Sequence, residues 1–285
     1  MTRASTDRHA ANDSWGGYRL DHRIAQSQST EVWEVAHLRS KRTCAMKIMM
    51  PHWAGSRHVI RSLRWEYQVG VRLKHPAVIE TYDYGVEHGL AYLVMEFCPA
   101  PSLKTWMQQA DSKTQELLRL VGSMAGALRY FHEQGWVHRD IKPDNFLVLE
   151  EGRVKLIDFN LAKKAPSWLR RLIPMHSKVQ GTPSYMSPEQ IRGEPYDVRG
   201  DIYSFGCVVF ELLTGRPPYT ADSANDLLNK HLRAPIPSPK KINEKISPQF
   251  AEEVQRLLGK RPDTRPGSMQ EVLEKLSSLK IYSNE

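Results

Sequence analysis

The spacing of apolar residues changes character once along this chain, near residue 100, and that change restricts the fold more than any other feature. Ahead of it, short runs rich in apolar and β-branched residues dominate. Glu31-Val32-Trp33-Glu34-Val35-Ala36 and Thr43-Cys44-Ala45-Met46-Lys47-Ile48 predict strands. Residues 78–84 and 90–97 predict two more, joined by a turn through Gly85 to Gly89. One interruption, residues 59–73, places Leu63, Tyr67 and Val71 at helical spacing and stops at His75-Pro76. After Pro99-Ala100-Pro101 the pattern is mainly helical, with Leu117, Leu120, Val121, Met124, Leu128 and Phe131 along one broad face. Short strands are predicted near 146–149 and 154–157, and an irregular segment, 160–188, precedes further helices. The expectation is an α+β fold in two lobes. A small antiparallel sheet with one main helix covers about residues 18–97, a hinge lies at Glu96 to Ser102, and a larger helical lobe covers about 102–278. Residues 1–17 and 279–285 read as tails, and Pro235, Pro237, Pro239, Lys240 and Lys241 as an exposed loop.

With 285 residues, 40% of them apolar, the chain has enough material for a real core. It has no run of about 18 apolar residues, so no membrane span is expected, and residues 1–14 lack the apolar middle of a signal peptide. Cys44, Cys98 and Cys207 are far apart, fit no metal spacing and leave an odd one in any disulfide scheme, which favours a cytoplasmic setting. A net charge of +8 suits acidic partners or an ordinary basic enzyme surface. No basic repeat interleaved with aromatics appears, so no nucleic-acid partner is expected.

The chemistry concentrates in His138-Arg139-Asp140-Ile141-Lys142-Pro143-Asp144-Asn145. Asp140 can accept a hydroxyl proton, Lys142 can neutralise phosphate charge, and Asn145 can hold a hard cation through oxygen. Those are the groups needed to move a phosphoryl group onto a hydroxyl. The stretch resembles the catalytic loop of protein kinases, and the resemblance extends in order and spacing over roughly residues 18–275.

That resemblance implies roles for further residues. Lys47 would contact nucleotide phosphates and Glu66 would pair with it. Asp158, in Asp158-Phe159-Asn160, would bind Mg²⁺ or Mn²⁺ together with Asn145, although asparagine stands where the family has glycine. Asparagine is the residue that best tolerates left-handed geometry after glycine, so a metal-binding conformer stays accessible. The phosphate-covering hairpin would fall on Ile24, Ala25, Ser27, Thr30 and Val32, where all three family glycines are missing. Weaker nucleotide binding follows, since Cβ atoms limit backbone approach. Hydroxyls of Ser27, Ser29 and Thr30 could partly compensate. Backbone groups of Glu96 and Cys98 would pair with adenine, Val32, Ala45 and Leu147 would sandwich it, and Met95 would limit the depth of the pocket.

Gly181 to Glu189 looks like the end of an activation segment. Glu189 would form a buried pair with Arg265, Asp201 would anchor the catalytic loop, and Thr182 would shape the hydroxyl site. Arg139 would bind a phosphate on this segment, with Ser177 the preferred phosphosite and Thr182 another candidate. Lys142 points to serine/threonine specificity, and the motif set is similar to bacterial members of the family. The implied activity is transfer of the ATP γ-phosphoryl to Ser or Thr of a protein, with autophosphorylation and regulation by a protein partner. The missing glycines and Asn160 leave a second reading, a pseudokinase scaffold. Retention of Lys47, Glu66, Asp140, Lys142, Asn145 and Asp158 opposes it, because a scaffold has no chemical need for all six.

Overall fold

The computed structural model describes residues 9–109, 114–165 and 181–283. Among these the chain divides into two compact units, one of residues 9–99 with Asp158–Asn160, the other of 100–157 and 161–283.

The first unit is an antiparallel sheet of β1 (Ser14–Trp15), β2 (Tyr18–Gln26), β3 (Thr30–His37), β4 (Thr43–Met49), β5 (Thr81–Glu87) and β6 (Leu90–Glu96), in the order β1-β2-β3-β4-β6-β5. Alternation of side chains along each strand decides which face is buried. Trp33 and Val35 of β3 join Cys44, Met46 and Ile48 of β4 in one core with Leu20, Tyr92 and Val94. Helix α1 (Arg57–Gly70) covers part of the sheet, setting Val59 and Leu63 against Met49, Leu90, Ala91 and Leu93. The turn expected through Gly85 is shorter than that. Gly85 lies inside β5, where an added Cβ would run into the Tyr92 ring, and the chain reverses at His88-Gly89.

The second unit is mainly helical: α2 (Leu103–Gln109), α3 (Thr114–Glu133), α4 (Pro188–Arg192), α5 (Val198–Thr214), α6 (Ala224–Arg233), α7 (Pro248–Leu257) and α8 (Met269–Ser277). Two ribbons accompany them, β7 (Trp136–Val137) with β10 (Lys163–Lys164), and β8 (Phe146–Val148) with β9 (Val154–Leu156). The expected α+β division therefore holds. Ser187, Ser223, Ser247 and Ser268 each accept a backbone N–H in the first turn of α4, α6, α7 and α8, which fixes where those helices start. Helix α5 is apolar nearly all round and lies in the core of this unit.

Its Gly206 passes close to α7, where an added Cβ would lie 2.7 Å from Leu257 Cβ. The change Gly206→Ala will lower stability by about 1–2 kcal/mol, the clash exceeding the gain in helix propensity. Urea unfolding measures this; an unchanged midpoint would mean that α7 can move aside.

The segments expected to be tails take part in the packing. His9 is buried with its Nε2 3.0 Å from Met49 O, and β1 pairs with β2. Near the other end, Ile281 is buried, its carbonyl accepts the Ser247 N–H, and Tyr282 bridges Ile246. The loop at 235–241 is also less exposed than its composition suggests. Pro239 is buried, and Lys240 Nζ donates to the carbonyls of Glu244 and Ile246.

Candidate active site

In the first unit, Met46 and Ile48 point into the core, so Lys47 between them emerges on the opposite face of β4, in register with Val32 and Leu93. Its Nζ lies 3.1 and 2.9 Å from the two carboxylate oxygens of Glu66 and 3.3 Å from Asp158 Oδ1. Glu66 is on the inner side of α1 and only 4% exposed. Burial works against the Lys47 charge, but Asp158 and Glu66 outweigh it and raise the pKa. Burial pushes the Glu66 carboxyl up to about 7, with Asp158 adding to the rise and Lys47 opposing it. Two carboxylates thus lie within reach of one ammonium, and a cation at Asp158 would add positive charge to this group.

Asp158 itself holds a left-handed backbone, φ 65°, whereas Asn160 does not. Replacement of the family glycine by Asn160 therefore brings no backbone strain, and its tolerance of left-handed geometry is not called upon. The Asn160 N–H approaches Asp158 Oδ1 at 3.5 Å.

The tip of the β2–β3 hairpin is closed on itself. Ser27 Oγ and Thr30 Oγ1 are 2.8 Å apart, and the Ser27 N–H donates to Thr30 O at 2.8 Å. The Trp53 indole N–H donates to Gln28 O and the Met50 N–H to Ser29 O, tying the tip to the chain after β4. The hydroxyls of Ser27 and Thr30, expected to stand in for the missing glycines, hold the turn instead. Ile24 and Ala25 are exposed, Val32 half-buried and Ala45 buried. Met95 pairs in register with Ala45, and the Glu96 N–H donates to Glu80 O at 2.8 Å. Cys98 follows β6 and is half-buried.

In the second unit, buried Asp201 organises the loop before Asp140. Its carboxylate accepts the backbone N–H groups of His138 at 2.7 Å and Arg139 at 2.8 Å, and the Tyr196 hydroxyl at 2.8 Å, with His132 Nε2 at 2.9 Å. Burial would raise the Asp201 pKa, but the hydrogen bond and charge of His132 and the His138 contacts hold it below the ordinary value. Arg139 takes φ 71°, and its carbonyl accepts Gln190 Nε2 at 2.9 Å. Asp140 then presents a carboxylate held at both oxygens. Oδ1 accepts the Thr182 N–H and hydroxyl, both at 3.2 Å, and Oδ2 is 3.0 Å from Lys142 Nζ. Lys142 also reaches Thr182 Oγ1 at 3.3 Å. Asn145 Nδ2 donates to Asp140 O at 2.8 Å, which turns the amide so that its oxygen is the end offered elsewhere. Leu147 lies on β8 and bridges Ser102.

Glu189 and Arg265 form a bidentate pair at 2.8 and 2.9 Å, both nearly fully buried. Arg139 is buried with its guanidinium over the Tyr196 ring, and its charge, after burial, helps lower the Lys163 pKa. Ser177 lies outside the described residues. Nothing in the local sequence marks His132, Tyr196 or Gln190 as contacts of this loop. His132 reads there as the end of an apolar helix face, and nothing local links it to a residue 69 positions on.

Among the described residues, no three His, Cys, Asp or Glu side chains gather into a self-sufficient metal cage. Asp158 in the first unit and Asn145 in the second, each taken by itself, carry a side-chain oxygen of the kind that suits a hard cation.

A family profile described as a protein kinase domain matches residues 18–276. A probable serine/threonine-protein kinase, PknA2 of Bifidobacterium longum, is 32% identical over 268 residues, covering 93% of this chain and 35% of the relative. The serine/threonine-protein kinase PknL of Mycobacterium tuberculosis is 32% identical over 249 residues, 87% of this chain and 62% of the relative. PknB of Mycolicibacterium smegmatis is 32% identical over 254 residues, 87% of this chain and 40% of the relative. The chain thus spans between about a third and just under two thirds of the length of these relatives.

Proposed function

Because this chain belongs to the protein kinase family, we propose that it is a serine/threonine protein kinase that transfers the ATP γ-phosphoryl to Ser or Thr hydroxyls of a protein substrate and of itself. The observation that carries this reading is the Asp140 carboxylate, fixed at 3.2 Å by Thr182 and at 3.0 Å by Lys142. A substrate hydroxyl beside it would give up its proton to Asp140 as the bond to phosphorus forms. Lys142, 3.0 Å from Asp140 Oδ2, would neutralise charge on the transferring group. Lys47, held by Glu66, would orient the α and β phosphates. Backbone groups of Glu96 and Cys98 would take the adenine edge, with Val32, Ala45 and Leu147 providing apolar cover. Asp158 and Asn145 would hold Mg²⁺, which when bound neutralises phosphate charge; Mn²⁺ fits the same oxygen donors.

The reading also sets the reaction in the cytoplasm. In support, none of Cys44, Cys98 and Cys207 is in a disulfide, and no helix among the described residues is long and apolar enough to cross a membrane.

The test is to incubate the purified protein with labelled ATP, Mg²⁺ or Mn²⁺, and a generic basic or acidic protein. Label will appear on serine or threonine, and nucleotide with metal will raise the melting temperature. Absence of both transfer and thermal stabilisation with either metal refutes the proposal.

The self-closed hairpin predicts weak nucleotide binding. Glycine at positions 25, 27 and 30 together will tighten binding of a fluorescent ATP analogue by about threefold, ~0.7 kcal/mol. An unchanged or weaker affinity would mean that this hairpin does not limit phosphate approach.

A further inference from the structure

We propose that the outer face of α1 is a docking surface for an acidic polypeptide segment. The inner face of this helix is accounted for, since Val59, Leu63, Glu66 and Val69 are buried. The outer face repeats at helical spacing and is mainly cationic, with Gln68 the uncharged position in the row. Arg57, Arg61 and Arg64 are exposed on it, and Arg72 continues the row just past the helix end.

None of these four arginines forms an ion pair among the described residues. The carboxylates of this unit that do form one are taken by other partners: Asp21 by Arg19, Glu34 by His22, Glu31 by Arg23, Glu66 and Asp158 by Lys47, and Glu80 by Lys74. An ordinary solvated helix face mixes signs, so that neighbours three and four residues apart attract. Here Arg57, Arg61 and Arg64 repel one another at that spacing.

The start of α1 adds to the imbalance. Ser56 at the N-cap makes no side-chain capping hydrogen bond, the first turn holds no acidic residue, and Arg57 and His58 sit at the positive end of the helix dipole. By contrast, α6 and α8 begin with a capping serine and an acidic residue in the first turn. The row of arginines and the uncompensated helix start call for the same thing, negative charge supplied from outside.

Shape and chemistry favour a polypeptide as its carrier. The row is one residue wide and about 21 Å long. An extended segment of about six or seven residues matches that length. Val71, 37% exposed, lies at its far end and offers an apolar contact that a phosphate backbone would not use. The same helix holds Glu66 against Lys47, so an occupant that steadies the outer face steadies that pair as well.

The experiment measures binding of a fluorescein-labelled polyglutamate peptide by anisotropy, at low and high salt, so it does not depend on phosphoryl transfer. A protein that fails the kinase assay can still pass this one, and the reverse. Wild type will bind, and less tightly at high salt. The triple variant Arg57→Glu, Arg61→Glu, Arg64→Glu will lose affinity at least about tenfold. A variant with the same change in net charge, Lys241→Glu, Lys245→Glu, Lys275→Glu, alters exposed positions of the second unit and will stay within about twofold of wild type. If the reversed helix misfolds by circular dichroism, the glutamine triple at positions 57, 61 and 64 replaces it, with the same loss expected. Equal losses in the helix and control variants would reduce the effect to overall charge and overturn the proposal. Tighter binding of poly-dT or of phosphatidylserine vesicles, or self-association that the arginine changes abolish, would also overturn it.

Discussion

Changing Asp140 to asparagine will lower phosphoryl transfer by about a hundredfold to ten-thousandfold, ~3–5 kcal/mol of barrier, while nucleotide-dependent thermal stabilisation stays close to wild type. The asymmetry follows from how the side chain is held. Thr182 donates to Oδ1 through both its N–H and its hydroxyl, and an amide oxygen can go on accepting these bonds. The loop backbone on the amino-terminal side is fixed independently by Asp201, through the N–H groups of His138 and Arg139. Local geometry therefore survives, but an amide cannot take a proton at neutral pH. Lys142 also loses its ionic partner at Oδ2, which frees a positive charge near the reacting groups and modestly favours phosphate binding. Single-turnover measurement of labelled phosphate transfer reads the first effect and a thermal shift with nucleotide and metal reads the second. A fall in rate of less than about threefold would remove Asp140 as the proton acceptor.

The parts of this site that could be read from the sequence are those whose local pattern also fixes their orientation. Lys47 stands between two apolar residues of a strand, so alternation alone sends it to the face opposite the core. Glu66 follows Leu63 by three residues on a helix, which places both on its covered side. What the pattern concealed is long-range and polar. The bonds of His132 to Asp201 and of Gln190 to the Arg139 carbonyl cross 69 and 51 residues respectively, and neither residue type announces its partner. The hairpin shows the opposite difficulty. Its strands and length are legible, but the direction of the Ser27 and Thr30 hydroxyls depends on a turn only three residues across, and the tie to Trp53 spans 25 positions. The first seventeen residues look like a tail because they have no periodicity. His9 and Trp15 nevertheless pack edge to face, which a search for regular spacing has no means to detect.

Removing one side of the Glu189–Arg265 pair will be the most damaging single change to stability in the second unit. Arg265→Leu will cost about 3–5 kcal/mol, because it leaves a buried carboxylate without its counter-charge. At roughly 2–4 °C per kcal/mol for a chain of this size, the melting temperature should fall by about 6–20 °C. Arg265 also donates to the carbonyls of Gly259 and Arg199, at 2.7 Å each, so two acceptors elsewhere lose their partner too. The double change Glu189→Leu with Arg265→Leu removes the stranded charge and will recover part of the loss, giving a coupling of about 1–3 kcal/mol in a double-mutant cycle. Strictly additive losses would show that the two side chains act separately despite their contact. Catalysis should suffer alongside stability. Glu189 lies in the first turn of α4, the helix whose Gln190 bonds the Arg139 carbonyl, and Ser187 at its cap follows the turn that starts from Thr182. Loosening α4 therefore loosens two of the contacts that hold Asp140 in place. Where the folded fraction is matched by lowering the temperature, Arg265→Leu will still show a reduced turnover number, and a turnover equal to wild type would confine the pair to a purely structural role.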